Sequence, residues 1–184
     1  MKKLFSAVVI AAVILSLVGC GGIRVSDEEI KNAKLYNEIN NNSYKDYLYD
    51  AFGDKEAVEK QLEKVWLPVK EKEVKAYVEE LKKIYNFCKE KGILADTETV
   101  NRFVDKSVTQ LKSDQSQSSY YKHLKNTLKE KKISFNEYVK LVKGQYRYIY
   151  NKGLLEQSFR NDGYNSKSKK SFEEQFKEYI ESID

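Results

Sequence analysis

Three segments of this chain begin with the same short signal: Ser26-Asp27-Glu28-Glu29, Ser134-Phe135-Asn136-Glu137 and Ser171-Phe172-Glu173-Glu174. In each, the serine side chain can accept from a first-turn amide while the glutamate three residues on reaches back to the serine amide, which fixes a helix start. The segments between them repeat apolar residues at helical spacing. Val74, Val78, Leu81, Tyr85 and Cys88 recur at intervals of four, three, four and three, keeping one stripe facing a partner. One proline and eight glycines in 184 residues leave few interruptions. No stretch alternates with period two for long enough to form a sheet. The chain is therefore expected to be all-α, a single domain of about six or seven helices, in an irregular bundle or cradle with a returning C-terminal helix.

The punctuation predicts the element ends. Asn40-Asn41-Asn42 reads as the end of the first helix, since Asn favours turns over helix interiors. A short helical stretch through Tyr44–Phe52 follows, and a helix from about Lys55 ends near Trp66-Leu67-Pro68. Gly92 is placed to terminate the Val69–Lys91 helix in a left-handed conformation. Asp96 or Thr97 caps the next helix, and the polar run Ser113–Ser119 reads as a loop. Gly144 and Gly153 fall inside the long helix from Ser134, where close approach of another helix or a bend would explain them. Cys88, on an apolar face, is expected to be a buried structural thiol.

The first twenty residues have a different character. Lys2 and Lys3 precede an apolar run from Leu4 to Val18, followed by Gly19 and Cys20. A charged start, a short apolar core and small residues form a secretory signal. The run is shorter than the ~20 apolar residues that cross a bilayer. Leu17-Val18-Gly19-Cys20 resembles the lipobox of bacterial lipoproteins. That resemblance implies removal of residues 1–19 and a covalent diacylglycerol and N-acyl lipid, such as palmitate, on Cys20. Residues 20–25 would then be a short tether and 26–184 the helical domain, held outside the cytoplasm on the bacterial cell membrane. No other cofactor is expected.

Charge is unevenly distributed. Residues 120–170 hold 13 Lys and Arg against four Asp and Glu, whereas residues 171–184 hold one against five. Either the acidic C-terminal helix docks on the basic region and neutralises it, or residues 120–170 contact anionic lipid or wall polymer. Nucleic acid is not an expected partner of an exported, anchored chain.

Nothing in the sequence carries a recognisable catalytic arrangement. There is no C-x-x-C, H-E-x-x-H, EF-hand or phosphate-binding loop, so neither a metal site nor an enzyme is expected. The one histidine, His123, lies between lysines and is read as an exposed helical residue. The fourteen tyrosines stand out. Tyr138, Tyr146, Tyr148 and Tyr150 share a helix with Arg147; they either line the core edge or form a peptide-binding surface, since Tyr and Arg favour interface anchors.

Gly92-Ile93-Leu94-Ala95-Asp96-Thr97-Glu98-Thr99-Val100 is similar to the helix break in the helical chaperone domain of the SurA/PrsA foldases. Ile133–Tyr138 with Leu154-Leu155-Glu156-Gln157, and Gly22–Ile30, extend the resemblance over much of residues 22–160. In those exported foldases a parvulin isomerase domain precedes the final helix; here about ten residues separate Arg160 from Ser171, too few for one. The resemblance thus implies a chaperone module without isomerase activity. The function expected is a membrane-anchored, non-enzymatic helical binding module, chaperone-like toward exported polypeptides. The alternative is a structural or interaction lipoprotein with one dedicated envelope partner.

Overall fold

The computed structural model describes residues 23–113 and 118–183. Residues 1–22, on which the expected secretory signal and the Cys20 lipidation site fall, and most of the Ser/Gln-rich stretch lie outside the described residues. Those described form seven helices: α1 (Asp27–Phe52), α2 (Lys55–Val65), α3 (Glu71–Glu90), α4 (Thr97–Ser113), α5 (Ser118–Glu130), α6 (Phe135–Asp162) and α7 (Phe172–Glu181). The all-α class and single-domain bundle expected from the stripes are what the chain adopts.

All three capping boxes close as the sequence predicts. Glu29 accepts from the Ser26 amide at 2.8 Å, Glu137 from Ser134 at 2.7 Å and Glu174 from Ser171 at 2.7 Å, each with the reciprocal serine bond. Asp96 caps α4 by accepting from the Thr99 amide at 2.6 Å. Gly92 takes φ +69°, the left-handed conformation expected of it.

The triple asparagine does not end a helix. α1 runs straight through it, because Asn40 and Asn41 of the triple, with Asn37 one turn earlier, find tertiary partners that outweigh their weak helix preference. Asn41 accepts from the Leu67 amide at 3.0 Å and donates to the Leu67 carbonyl at 2.8 Å. Asn37 donates to the Pro68 carbonyl at 2.7 Å. These bonds clamp the α2–α3 link, where Pro68 interrupts the backbone ladder, onto the middle of α1.

α1 is the axis of the bundle. Asn41–Leu67 and Glu29–Lys82 contacts set α3 antiparallel to it, and Glu38–Lys131 and Asp50–His123 set α5 antiparallel. Tyr138–Asn40 and Tyr148–Glu29 contacts orient α6 the same way. α4 lies antiparallel on α6, with Asp105 paired to Lys143 at 2.8 Å. The main core gathers Tyr36 and Ile39 from α1, Leu81, Val104, Leu124 and Leu128, and Tyr138, Val142 and Ile149 from α6. Burying each such side chain stabilises the fold by about 1.5–3 kcal/mol.

A second core sits where α3 and α6 extend past the start of α1. There Ile84, Cys88, Leu155 and Phe159 receive Phe176, Ile180 and Ile183 of the C-terminal segment. The chain thus doubles back at its end. Cys88 is fully buried there, as expected, and burial pushes its thiol up to about 11. In α3 the buried stripe uses Ile84, with Tyr85 half-exposed at its edge. A Cβ added at Gly144 or Gly153 would meet nothing within 4 Å, so no helix approaches closely at either position.

Candidate functional site

The five sequence-selected residues of α6 divide among three environments, set by the helical rotation between them. Tyr138 is 6% exposed and belongs to the core. Its hydroxyl donates to Asn40 Oδ1 at 3.0 Å, which also accepts from Tyr120 at 3.3 Å. Burial holds the phenols of Tyr138, Tyr36, Tyr77 and Tyr120 above the ordinary tyrosine value, so they remain neutral hydrogen-bonding groups.

Arg147 and Tyr148 turn toward α3 and the start of α1. The Arg147 guanidinium lies 4.9 Å from the Tyr85 ring centroid and donates to its hydroxyl oxygen at 3.1 Å. Tyr148 packs edge-on against Tyr85, and its hydroxyl donates to Glu29 at 3.3 Å. Glu29 also accepts from Lys82 at 3.0 Å, and Lys82 donates to the Arg24 carbonyl at 2.6 Å. Burial alone would raise the Glu29 carboxyl, yet the bonds from Ser26 and Lys82 outweigh it and hold it below the usual range. This junction fixes Arg24, close to the start of the described residues, to the body of the bundle.

Tyr146 and Tyr150, one turn apart, face α4. Phe103 stacks on Tyr146 with centroids 5.9 Å apart and meets Tyr150 edge-on at 5.2 Å. Between the two helices lies an open apolar groove of about 220 Å³, floored by Ile149 and continued by Gly153, Leu154 and Gln157. Its size suits one or two apolar side chains. Phe103 belongs to the expected α4 stripe, and only the packing of α4 on α6 brings it beside Tyr146 and Tyr150. Gly153 enlarges the groove by what it lacks.

His123 corrects the sequence expectation. It is 8% exposed, on the inner face of α5, with Nε2 2.8 Å from Asp50 Oδ2 of α1. The α5 helix carries its lysines outward on the opposite side, which the local sequence does not distinguish. Among the described residues no group of three or more His, Cys, Asp or Glu is placed to hold a metal ion, and no helix is long and apolar enough to cross a membrane.

No protein-family model, curated protein or solved structure matches the chain.

Proposed function

We propose that this chain is an extracytoplasmic lipoprotein, anchored through Cys20, whose helical domain is a non-enzymatic module engaging one dedicated envelope protein. The observation that carries this reading is the inward turn of the tyrosines. Tyr138 and Tyr120 give their hydroxyls to Asn40, and Tyr148 gives its hydroxyl to Glu29, so these groups are satisfied within the fold. A cradle that accepts many extended clients needs a long, adaptable apolar surface. The groove beside Phe103, Tyr146 and Tyr150 is short and lined by two helices, which suits one complementary segment. The chaperone-like reading suggested by the foldase resemblance keeps one observation in its favour: that groove is open, aromatic and apolar.

A photo-crosslinking residue in place of Tyr150, in the intact cell, separates the two. One adduct of constant mass across growth conditions, lost in a Gly153→Leu background, is expected. A ladder of many adducts would move the assignment to exported polypeptides in general, and no adduct would remove the groove from either. Anchoring is tested separately: radioactive palmitate should label the wild-type chain and not Cys20→Ser.

A further inference from the structure

Six of the thirteen cations of residues 120–170 make internal contacts, four more (Lys132, Lys140, Lys167 and Lys169) are exposed, and the remaining three form a stripe. Lys131 pairs with Glu38, Lys143 with Asp105, Lys152 with Glu80 and Lys170 with Glu178, while Arg147 and Arg160 lie over Tyr85 and Phe172. These are internal contacts. Lys122, Lys125 and Lys129 are different: spaced three and four apart, they form one exposed stripe on α5, opposite the buried Leu124 and Leu128. None has a carboxylate of a described residue within 4 Å. The acidic α7 does not cover them, since its apolar face docks on Cys88, Leu155 and Phe159.

The stripe continues onto its neighbours through two rings. Lys125 sits 4.9 Å from the Tyr121 ring, Tyr121 meets Phe135 edge-on at 5.8 Å, and Lys112 of α4 lies 4.4 Å from the Phe135 ring. Of the nearby acids, Asp105 holds Lys143 and Glu38 holds Lys131, while Glu137, which caps Ser134, and Glu130 beside Lys129 keep exposed negative charges that the lysines outnumber. The result is an exposed cationic face from three helices with half-buried aromatic rings set between the ammonium groups.

We propose that this face, Lys122, Lys125 and Lys129 with Lys112, Tyr121 and Phe135, is a docking surface for an anionic phospholipid bilayer. Cations draw to acidic headgroups, and rings between them suit the headgroup boundary, where amphipathic aromatics collect. A hydrated anionic polymer would reward the cations but not the rings. Reach is consistent with this occupant. Four peptide links join Cys20 to Arg24, the first residue clamped to the body, a span of at most about 14 Å. From Glu29 beside that clamp, the α1 partners of α5 lie about 14 to 32 Å along the helix. An anchored molecule lying lengthwise on the membrane therefore brings α5 to the headgroups, within the ~8 Å over which such attraction acts at physiological salt. The proposal rests on the anchored reading only for supplying the bilayer.

Residues 23–183 contain the seven described helices and their buried clusters, so a chain of residues 21–184, lacking signal and acylation site, keeps all the packing described. Its flotation with vesicles tests the surface independently of lipidation. Phosphatidylcholine vesicles containing phosphatidylglycerol should bind it, pure phosphatidylcholine should not, and high salt should release it. Each lysine removed should weaken binding about fivefold, the ratio corresponding to about 1 kcal/mol per cation, so Lys122→Gln/Lys125→Gln/Lys129→Gln should lose on the order of a hundredfold. The triple Lys55→Gln/Lys60→Gln/Lys64→Gln on α2, with the same change in net charge, should leave binding unchanged; circular dichroism of both triples establishes that they fold. Equal loss in the two triples, no preference for phosphatidylglycerol, or binding of soluble polyphosphate without binding of vesicles would each overturn the proposal.

Discussion

At the scale of single residues, asparagines carry the information that helix propensity obscures. Asn41 makes two bonds to the backbone of Leu67, and its removal leaves a part-buried amide and carbonyl without these partners. Asn37 makes one bond, to Pro68, and its own Oδ1 is buried without a partner. Truncating Asn37 strands the buried Pro68 carbonyl but also removes an unsatisfied atom, and the two effects partly offset. Asn41→Ala should cost about 2–3 kcal/mol and Asn37→Ala about 1 kcal/mol in urea unfolding; equal costs would contradict this assignment. The same physics explains what the sequence could not display. The capping boxes were legible because both partners lie within four residues. The asparagine clamp was not, because its partners lie 26 and 31 residues away and exist only once Pro68 is brought to α1. His123 is hidden for the same reason, since its partner Asp50 belongs to another helix. Glu29 adds a pH dependence with a defined sign. Its folded carboxyl is held low, so its contribution is full above the ordinary glutamate range and is lost as pH falls through the lowered value. Glu29→Gln should flatten the acid limb of a stability-versus-pH curve below about pH 4.5 relative to wild type.

Between elements, the α3–α6 seam joins the two cores through an ion pair taken out of water. Lys152 Nζ lies 2.9 Å from Glu80 Oε1, with the side chains 9% and 19% exposed. Losing one partner strands the other charge, so Lys152→Met should cost about 3–5 kcal/mol, whereas Lys152→Met with Glu80→Leu should recover most of it. An additive double variant in chemical denaturation would mean that the two groups do not sense each other. The glycines of α6 follow from the same packing. Gly144 is exposed within the helix and has open space around its Cβ position, so Gly144→Ala should stabilise by about 0.5–1 kcal/mol. Helix identity and the buried stripes were readable from periodicity, which is a property of one element. The candidate groove was readable only in part: Tyr146 and Tyr150 stand out in the sequence, but Phe103 reads as one more core residue. That Arg147 and Tyr148 leave this group depends on where α3 lies, and no local pattern encodes that.

At the scale of the whole molecule, the main core and the C-terminal core share α3 and α6 but no buried side chain, a third small cluster (Ala33, Val74, Val78) joins α1 to α3, and α7 contributes only to the C-terminal core. Such an arrangement should open in parts, the C-terminal lobe releasing before the main bundle. Two residues report on the two lobes independently. Cys88 is the buried thiol of the second core, and Trp66, the one tryptophan, ends α2 beside the link clamped to α1. Removing the apolar contacts of α7 by Phe176→Ala with Ile180→Ala deletes side chains that are each 6% exposed in the wild type. Losses of about 3–5 and 2–5 kcal/mol at such sites exceed what a ten-residue helix can retain on one docking face. Cys88 in residues 21–184 should then react with a thiol reagent at least tenfold faster than in the undocked variant's parent. The urea midpoint read by Trp66 emission should move little, because none of the deleted atoms touches the main core. If instead the Trp66 transition collapses together with Cys88 protection, the molecule is one cooperative unit. The C-terminal helix would then be holding up the groove and the lysine face as well as its own lobe.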